Sequence, residues 1–231
     1  MAPAAARTLA IVPVKRFSVA KARLGDELSG GTRRALTEAM VTDVLMALRR
    51  TRAVDDVVMV TSEPAAEAIG RSYGARVLDD PLDAGQSAAA QIGIAHALET
   101  GAARVLLVPG DCPALDPAEL EVLLAPAGPG RAVVIVADRH GTGTNALLLT
   151  PPDAIEPAFG PGSRERHEQA AAVAGIPCSI EQLPTLELDI DTAEDLAALR
   201  GLLAERHGGA AHTRGLLSRL AGWGHTPRAG P

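Results

Sequence analysis

Apolar and polar positions along the chain follow two periods. Short, mostly apolar stretches occupy residues 9–14, 56–61, 75–78, 105–108, 132–137 and 146–149. Runs of this length, bounded by turn-forming or charged residues, read as strands buried on both faces. Segments of helical spacing lie between them. In residues 32–50, Leu36, Met40, Val44, Leu45 and Leu48 share one face. Further helices are predicted over 64–73, closed by Gly74, over 86–100, closed by Gly101, and over 117–124, opened by Asp116-Pro117. Ser163 is placed to N-cap a helix over 164–174 that Gly175 ends. A last strand is expected over 186–190, followed by a capping box, Thr192 with Asp195, and a helix to about residue 205. Strands and helices alternate almost throughout, which predicts an α/β fold with a mostly parallel central sheet flanked by helices.

From His207 onward the composition turns to Gly, Ala, His, Arg and Pro. The expected organisation is one domain over 1–206 and a disordered tail over 207–231, with a short helix near 216–223. The formal net charge of −6 argues against a nucleic-acid or anionic-membrane surface. The aromatic residues are Phe17, Phe159, Tyr73 and Trp223, too few to build a stacking platform for single strands. No apolar run approaches membrane-spanning length, and residues 1–8 have no apolar core of a signal peptide. Cys112 and Cys178 form neither a disulfide framework nor a metal-site spacing. A reducing, cytoplasmic setting is expected.

The chemistry concentrates where strands end. The run Val105–Val108 stops at Pro109-Gly110, and the next residue is Asp111. A carboxylate at the carboxyl end of a buried strand lies where open α/β sheets bind ligands, although Asp also caps ordinary turns. After the first strand, Lys15, Arg16, Lys21 and Arg23 crowd a short loop. They form either a solvated basic loop or a phosphate clamp. Gln86 and Ser87 open a helix whose free amides suit a phosphate or a base, or simply a cap. The loop Asp138-Arg139-His140-Gly141-Thr142-Gly143-Thr144-Asn145 offers hydroxyls and Gly amides to an anion. Arg164 and Arg166 sit in a first helical turn, where the dipole disfavours cations unless an anion is bound. Alternation in Leu-Asp-Ile-Asp-Thr puts Asp189 and Asp191 on one side of an extended segment. With Asp111 as third ligand, they could share a divalent cation such as Mg²⁺.

Several of these segments together resemble the 2-phospho-L-lactate or phosphoenolpyruvate guanylyltransferases. They are Leu-Ala-Ile-Val-Pro-Val-Lys, Lys-Ala-Arg-Leu, Pro-Gly-Asp-Cys-Pro-Ala-Leu, Ala-Asp-Arg-His-Gly-Thr-Gly-Thr-Asn, Phe-Gly-Pro-Gly-Ser and Leu-Asp-Ile-Asp-Thr, within residues 8–205. The resemblance implies the glycosyltransferase-A-like nucleotidyltransferase fold and a role in making deazaflavin coenzyme F(420). It implies Asp111, Asp189 and Asp191 on Mg²⁺, and Thr144, Gly160 and Ser163 on the phospho-acid. Lys15, Lys21 and Arg23, with Gln86 and Ser87, are expected on GTP, and Asp111, Lys15 and Arg23 are expected to carry the catalysis. The expected reaction joins GMP to a small phospho-acid with release of pyrophosphate. The wording of the Gly-Thr-Gly-Thr loop favours phosphoenolpyruvate over 2-phospho-L-lactate or 3-phosphoglycerate, while homo-oligomerisation stays open. Two alternatives remain: a transferase of the same fold acting on a sugar phosphate or molybdopterin, and a non-catalytic nucleotide-binding module. Cys112 stands where an apolar residue is expected.

Overall fold

The apolar runs of the sequence become the strands of one sheet, and the amphipathic segments cover both its faces. A computed structural model describes residues 7–18, 20–125 and 130–223. In chain order the first half contains β1 (Thr8–Val14), α1 (Gly30–Arg50), β2 (Asp56–Thr61), α2 (Pro64–Ser72), β3 (Arg76–Asp79), α3 (Gln86–Glu99) and β4 (Arg104–Leu107). The second half contains α4 (Pro117–Leu123), β5 (Ala132–Ala137), β6 (Thr144–Thr150), α5 (Ser163–Val173), β7 (Cys178–Glu181), α6 (Ala193–Glu205) and α7 (Ala211–Trp223). The sheet order is β3-β2-β1-β4-β6-β5-β7. β1 pairs in parallel with β2 and β4, β2 with β3, and β5 with β7. β6 is antiparallel to both its neighbours, β4 and β5. The expected mostly parallel sheet is therefore what forms.

Alternation along β1 sorts the core into two layers. Ala10, Val12 and Val14 pack with Val41, Val44, Leu45 and Leu48 of α1. Leu9 and Ile11 pack on the opposite face with Ala89, Ala90, Ile94 and Ala97 of α3. Gly93 lets α3 approach β1, because a Cβ there would lie 2.4 Å from Ile11 Cγ2. A third cluster joins Leu36 and Met40 of α1 to Leu188, Ile190, Leu196, Leu199, Leu203 and Leu217. Strand order reverses between β1 and β4, and this switch point is where ligands bind in open α/β sheets. The loops after β1 and β4 therefore share one cleft.

Four expectations need correction. Residues 186–190 are not a strand. Leu186 and Glu187 amides donate to Leu183 O in a turn, Glu187 O accepts from Arg139 N, and Ile190 N donates to Asp111 O. The alternation there reflects Leu186, Leu188 and Ile190 pointing into the core from irregular backbone. The strand after α5 is instead β7, an edge strand whose four residues are all exposed and which therefore carries no apolar pattern. Thr144 and Asn145, expected in a loop, begin β6, where the pairing with β5 shifts register: Val136 faces Ala146 and Ala137 faces Thr144, leaving Asn145 as an unpaired bulge. Ser163 is the first residue of α5 rather than its cap, because Gly162 occupies the cap in a left-handed conformation, φ 70°.

The fourth correction concerns the expected disordered tail. α7 spans much of it, with Leu217 in the third cluster and Thr213 fully buried. Residues 224–231 lie outside the described residues. No helix of the described residues is long and apolar enough to cross a membrane. The start of α7 is held from a distance. The buried Asp43 carboxylate of α1 accepts from His212 N at 3.0 Å and Thr213 N at 2.8 Å. An anion on two orphan amides at a helix start is a strong cap. Asp43→Ala is expected to destabilise the protein by about 2 kcal/mol, measured by chemical denaturation, with protection of the α7 amides against hydrogen exchange lost first.

Candidate active site

Parallel strands β1 and β4 deliver their following loops to the same end of the sheet. After β4 the chain stays close to β1 for one more residue, with Val108 N donating to Ile11 O, and then turns through Pro109-Gly110. The turn at Gly110 packs closely on α1, since a Cβ there would press on Val41 Cγ2 at 3.0 Å. Asp111 follows. The bond from Ile190 N to Asp111 O draws the segment carrying Asp189 and Asp191 alongside it. Carboxylate oxygens of Asp111, Asp189 and Asp191 then lie within 4.8 Å of one another, all three residues half-buried.

Each carboxylate is held by a different group. Lys21 Nζ donates to Asp111 Oδ2 at 2.6 Å and to Asp191 Oδ1 at 2.9 Å. Its side chain is only 5% exposed. Burial alone would lower the Lys21 pKa, but attraction and hydrogen bonds from Asp111 and Asp191 outweigh it, and the ammonium is held above its ordinary range. Asn145 Nδ2 donates to Asp189 Oδ1 at 3.2 Å and to Leu186 O at 3.0 Å. Burial, then the neighbouring Asp111 charge, push the Asp189 carboxyl above its ordinary value. Asp195 fixes the turn of Asp191: its Oδ2 accepts from Asp191 N, Thr192 N and Thr192 Oγ1. Arg139 binds the other Asp195 oxygen at 2.7 Å. The buried Cys112 thiol donates weakly to Leu186 O at 3.7 Å behind the cluster, and burial raises its pKa well above the usual thiol value.

Asp111 Oδ1 is buried and has no hydrogen-bond partner. Three carboxylates facing one ammonium leave two negative charges uncompensated, and the donors are hard oxygens. That set fits a hard divalent cation.

The expected nucleotide side lies beside this cluster. Lys15 and Arg23 are exposed, and among the described residues neither forms an ion pair. Lys15, Pro13, Asp80, Gly85, Gln86 and Pro109 line a cavity of about 70 Å³. The Ser87 hydroxyl accepts from Phe159 N at 2.9 Å and keeps its own proton to donate. Lys21 belongs to the carboxylate cluster rather than to an open clamp with Lys15.

Thr144, Gly160 and Ser163 lie on segments that hydrogen bonds tie to one another. Thr142 O accepts from Arg164 N, and Gly160 O accepts from Ser163 N, so the loop before β6 and the start of α5 are tied together. Gly160 has φ 111°, a conformation strained for residues with a Cβ. The two cations in the first turn of α5 differ in their partners. Arg166 folds back onto the carbonyls of Ala158, Phe159, Gly160 and Pro161, and Arg164 lies 3.8 Å from Glu168. Arg166 is thus satisfied within its own loop, whereas Arg164 Nε is buried without a hydrogen-bond partner.

The sequence reading missed His167. It is fully buried, with Nδ1 3.0 Å from Thr144 Oγ1 and Nε2 accepting from Ala158 N at 2.8 Å. The Phe159 ring meets it edge-on at 5.3 Å between centroids. The available signal was spacing, since Ser163, His167 and Ala171 are the buried face of α5. Burial, then the Arg166 charge, lower its pKa from 6.5 to about 4. Protonation then favours the unfolded chain, so this contribution to stability is full above pH 6.5 and is lost as pH falls toward about 4. Denaturation midpoints between pH 7 and 4 are expected to fall with this slope, and His167→Gln is expected to flatten part of it.

The sequence matches the family described as "Guanylyl transferase CofC like" over residues 8–224. It is 54% identical to the phosphoenolpyruvate guanylyltransferase of Conexibacter woesei over 214 residues, 92% of this chain and 96% of that one. It is 41% identical to the enzyme of the same name from Sphaerobacter thermophilus over 194 residues, 84% of this chain and 93% of the relative. Among solved structures, a nucleotidyl transferase from Methanothermobacter superposes with a TM-score of 0.60 at 22% identity, covering 86% of this chain and 98% of that one. A 4-diphosphocytidyl-2C-methyl-D-erythritol synthase superposes with a TM-score of 0.59 at 19% identity, covering 85% and 98%. The fold is thus the nucleotidyltransferase one expected from the sequence, and the chain belongs to the CofC-like guanylyl transferases.

Proposed function

We propose that this guanylyltransferase joins GMP from GTP to phosphoenolpyruvate, or to 2-phospho-L-lactate, and releases pyrophosphate. The observation that carries the reading is the convergence of Asp111, Asp189 and Asp191, with Asp111 Oδ1 unpartnered, at the switch point of the sheet. The names of the bacterial relatives favour phosphoenolpyruvate as acceptor. On this reading the product feeds the making of deazaflavin coenzyme F(420).

Asp111, Asp189 and Asp191 hold Mg²⁺ in this proposal. When bound, it supplies positive charge between two anionic reactants. The remaining work falls to the chain. Lys15 and Arg23 bind the triphosphate, and Lys21 adds its charge where the cluster faces it. Gln86 and Ser87 stand on the nucleotide side, with Gln86 in the cavity beside Lys15. Thr144, Gly160 and Ser163 hold the phospho-acid. Its phosphate oxygen attacks the α-phosphorus, a new P–O–P bond forms, and the bond to the β-phosphate breaks with the electron pair leaving on pyrophosphate. The attacking oxygen is already anionic, so no general base is needed. Catalysis consists of alignment and of screening like charges.

Purified protein with GTP and Mg²⁺ is expected to release pyrophosphate with phosphoenolpyruvate in preference to 3-phosphoglycerate or sugar phosphates. Absence of release with every phospho-acid would overturn the proposal. Asp111→Asn is expected to abolish turnover with the melting temperature nearly unchanged. Lys15→Ala is expected to raise the KM for GTP about tenfold, the loss of one charge-assisted contact, and to leave the KM for phosphoenolpyruvate nearly constant.

A further inference from the structure

The His167 imidazole has two ring nitrogens with different obligations. Ala158 N is a backbone amide and can only donate, so the His167 Nε2 that meets it at 2.8 Å must present a lone pair. A ring with a bare Nε2 carries its proton on Nδ1. That N–H then donates to Thr144 Oγ1, 3.0 Å away. A hydroxyl that accepts through its oxygen still has its own proton to place. Among the described residues, Thr144 Oγ1 has no other hydrogen-bond partner. The residue is only 7% exposed, so this proton sits where water has little access.

The same ring also ties two segments together. Thr144 starts β6, while Ala158 leads into Phe159 and Gly160. Phe159 is held from the other side by Ser87 Oγ and packs its ring edge-on against His167. Removing His167 would therefore loosen the spacing between Thr144 and Gly160, residues of the proposed acceptor pocket.

We infer that His167 is a positioning residue for the acceptor: a neutral imidazole, protonated on Nδ1, that fixes Thr144 against the segment 158–160 and leaves the Thr144 O–H free to donate to an anionic oxygen of the phospho-acid. The inference rests on the reading of Thr144 as an acceptor contact and adds how its proton is directed. A serine or threonine accepting from a fixed N–H is a pre-oriented donor, whereas a free hydroxyl must give up rotation when it binds.

Two substitutions separate the functions of the ring. His167→Asn keeps an N–H near the Nδ1 position, and His167→Gln keeps an acceptor near the Nε2 position. With GTP and phosphoenolpyruvate both varied, His167→Gln is expected to raise the KM for phosphoenolpyruvate about tenfold, the loss of one hydrogen bond to an anion's donor, and to leave the KM for GTP within about twofold. His167→Asn is expected to raise it less. Equal KM values for His167→Gln and the unsubstituted enzyme, or equal weakening toward both substrates, would overturn the inference.

A direct reading needs no activity and no variant that must work. Long-range ¹H–¹⁵N spectra of the full chain labelled at histidine are expected to show one buried ring with a protonated Nδ1 and a bare Nε2 at pH 7, absent from the His167→Gln spectrum. A bare Nδ1, or a ring protonated at both nitrogens, would overturn it. Thr144→Val distinguishes the two layers of the argument. A raised KM for phosphoenolpyruvate in Thr144→Val with none in His167→Gln refutes the role of His167 alone. An unchanged KM in Thr144→Val refutes the acceptor reading, and the inference falls with it.

Discussion

Like charges packed within a few ångströms repel, and in a partly buried cleft water screens them poorly. The site around Asp111, Asp189 and Asp191 exists because the surrounding chain holds these groups against that repulsion. The bond from Ile190 N to Asp111 O joins the backbone of two segments far apart in sequence. Leu188 and Ile190 anchor one segment in the core shared by α1, α6 and α7, while β4 anchors the other. Lys21 offsets part of the charge at close range. Helix α7 contributes although it touches none of the carboxylates, because it completes the apolar cluster that seats Leu188 and Ile190.

Around that centre the polar side chains form connected supports rather than isolated pairs. Arg139 holds Asp195, and Asp195 holds the backbone of Asp191 and Thr192. The Asp195 carboxyl loses solvation, but its hydrogen bonds from Thr192 and Asp191, with the Arg139 charge, bring its pKa below the ordinary range. It therefore stays ionised at neutral pH and keeps accepting all of these bonds. Asn145 performs the matching task for Asp189. Such connected hydrogen bonds around a crowded cluster are how a fold limits the motion of its reactive atoms.

Much of this was legible in the residues and some of it was not. The strands with strong apolar runs and the capped helices stood out because burial and capping are local signals. The capping box at Thr192 and Asp195 is an instance, since both reciprocal bonds form. The segment 186–190 misled because buried alternation does not require a ladder; its amides donate to a turn and to Asp111, and its Glu187 carbonyl accepts from Arg139 N. β7 was invisible because an exposed edge strand needs no apolar face. The three aspartates could be named from their places at chain turns, but the groups that orient them could not. Arg139, Asn145 and His167 act through contacts at least 23 residues distant, and only the folded chain reveals those. Only the second half of α7 was expected, because its start is rich in small and polar residues and is held by a carboxylate borrowed from α1.

The bulge at Asn145 alters what β6 can do. Leu147 and Leu149 face the α3 side of the sheet, and Ala146 and Leu148 face the α1 side. Unbroken alternation would send Thr144 to the α1 side and Asn145 to the α3 side. The extra residue reverses both, so that Thr144 reaches His167 of α5 while Asn145 reaches Leu186 and Asp189. Because β6 runs against its neighbours, these are its first residues, and they emerge at the end of the sheet where β1 and β4 finish. One backbone irregularity thus gears two neighbouring side chains to opposite walls of the cleft. Any movement of this strand end that carries Thr144 along also carries Asn145, and so the carboxylate of Asp189.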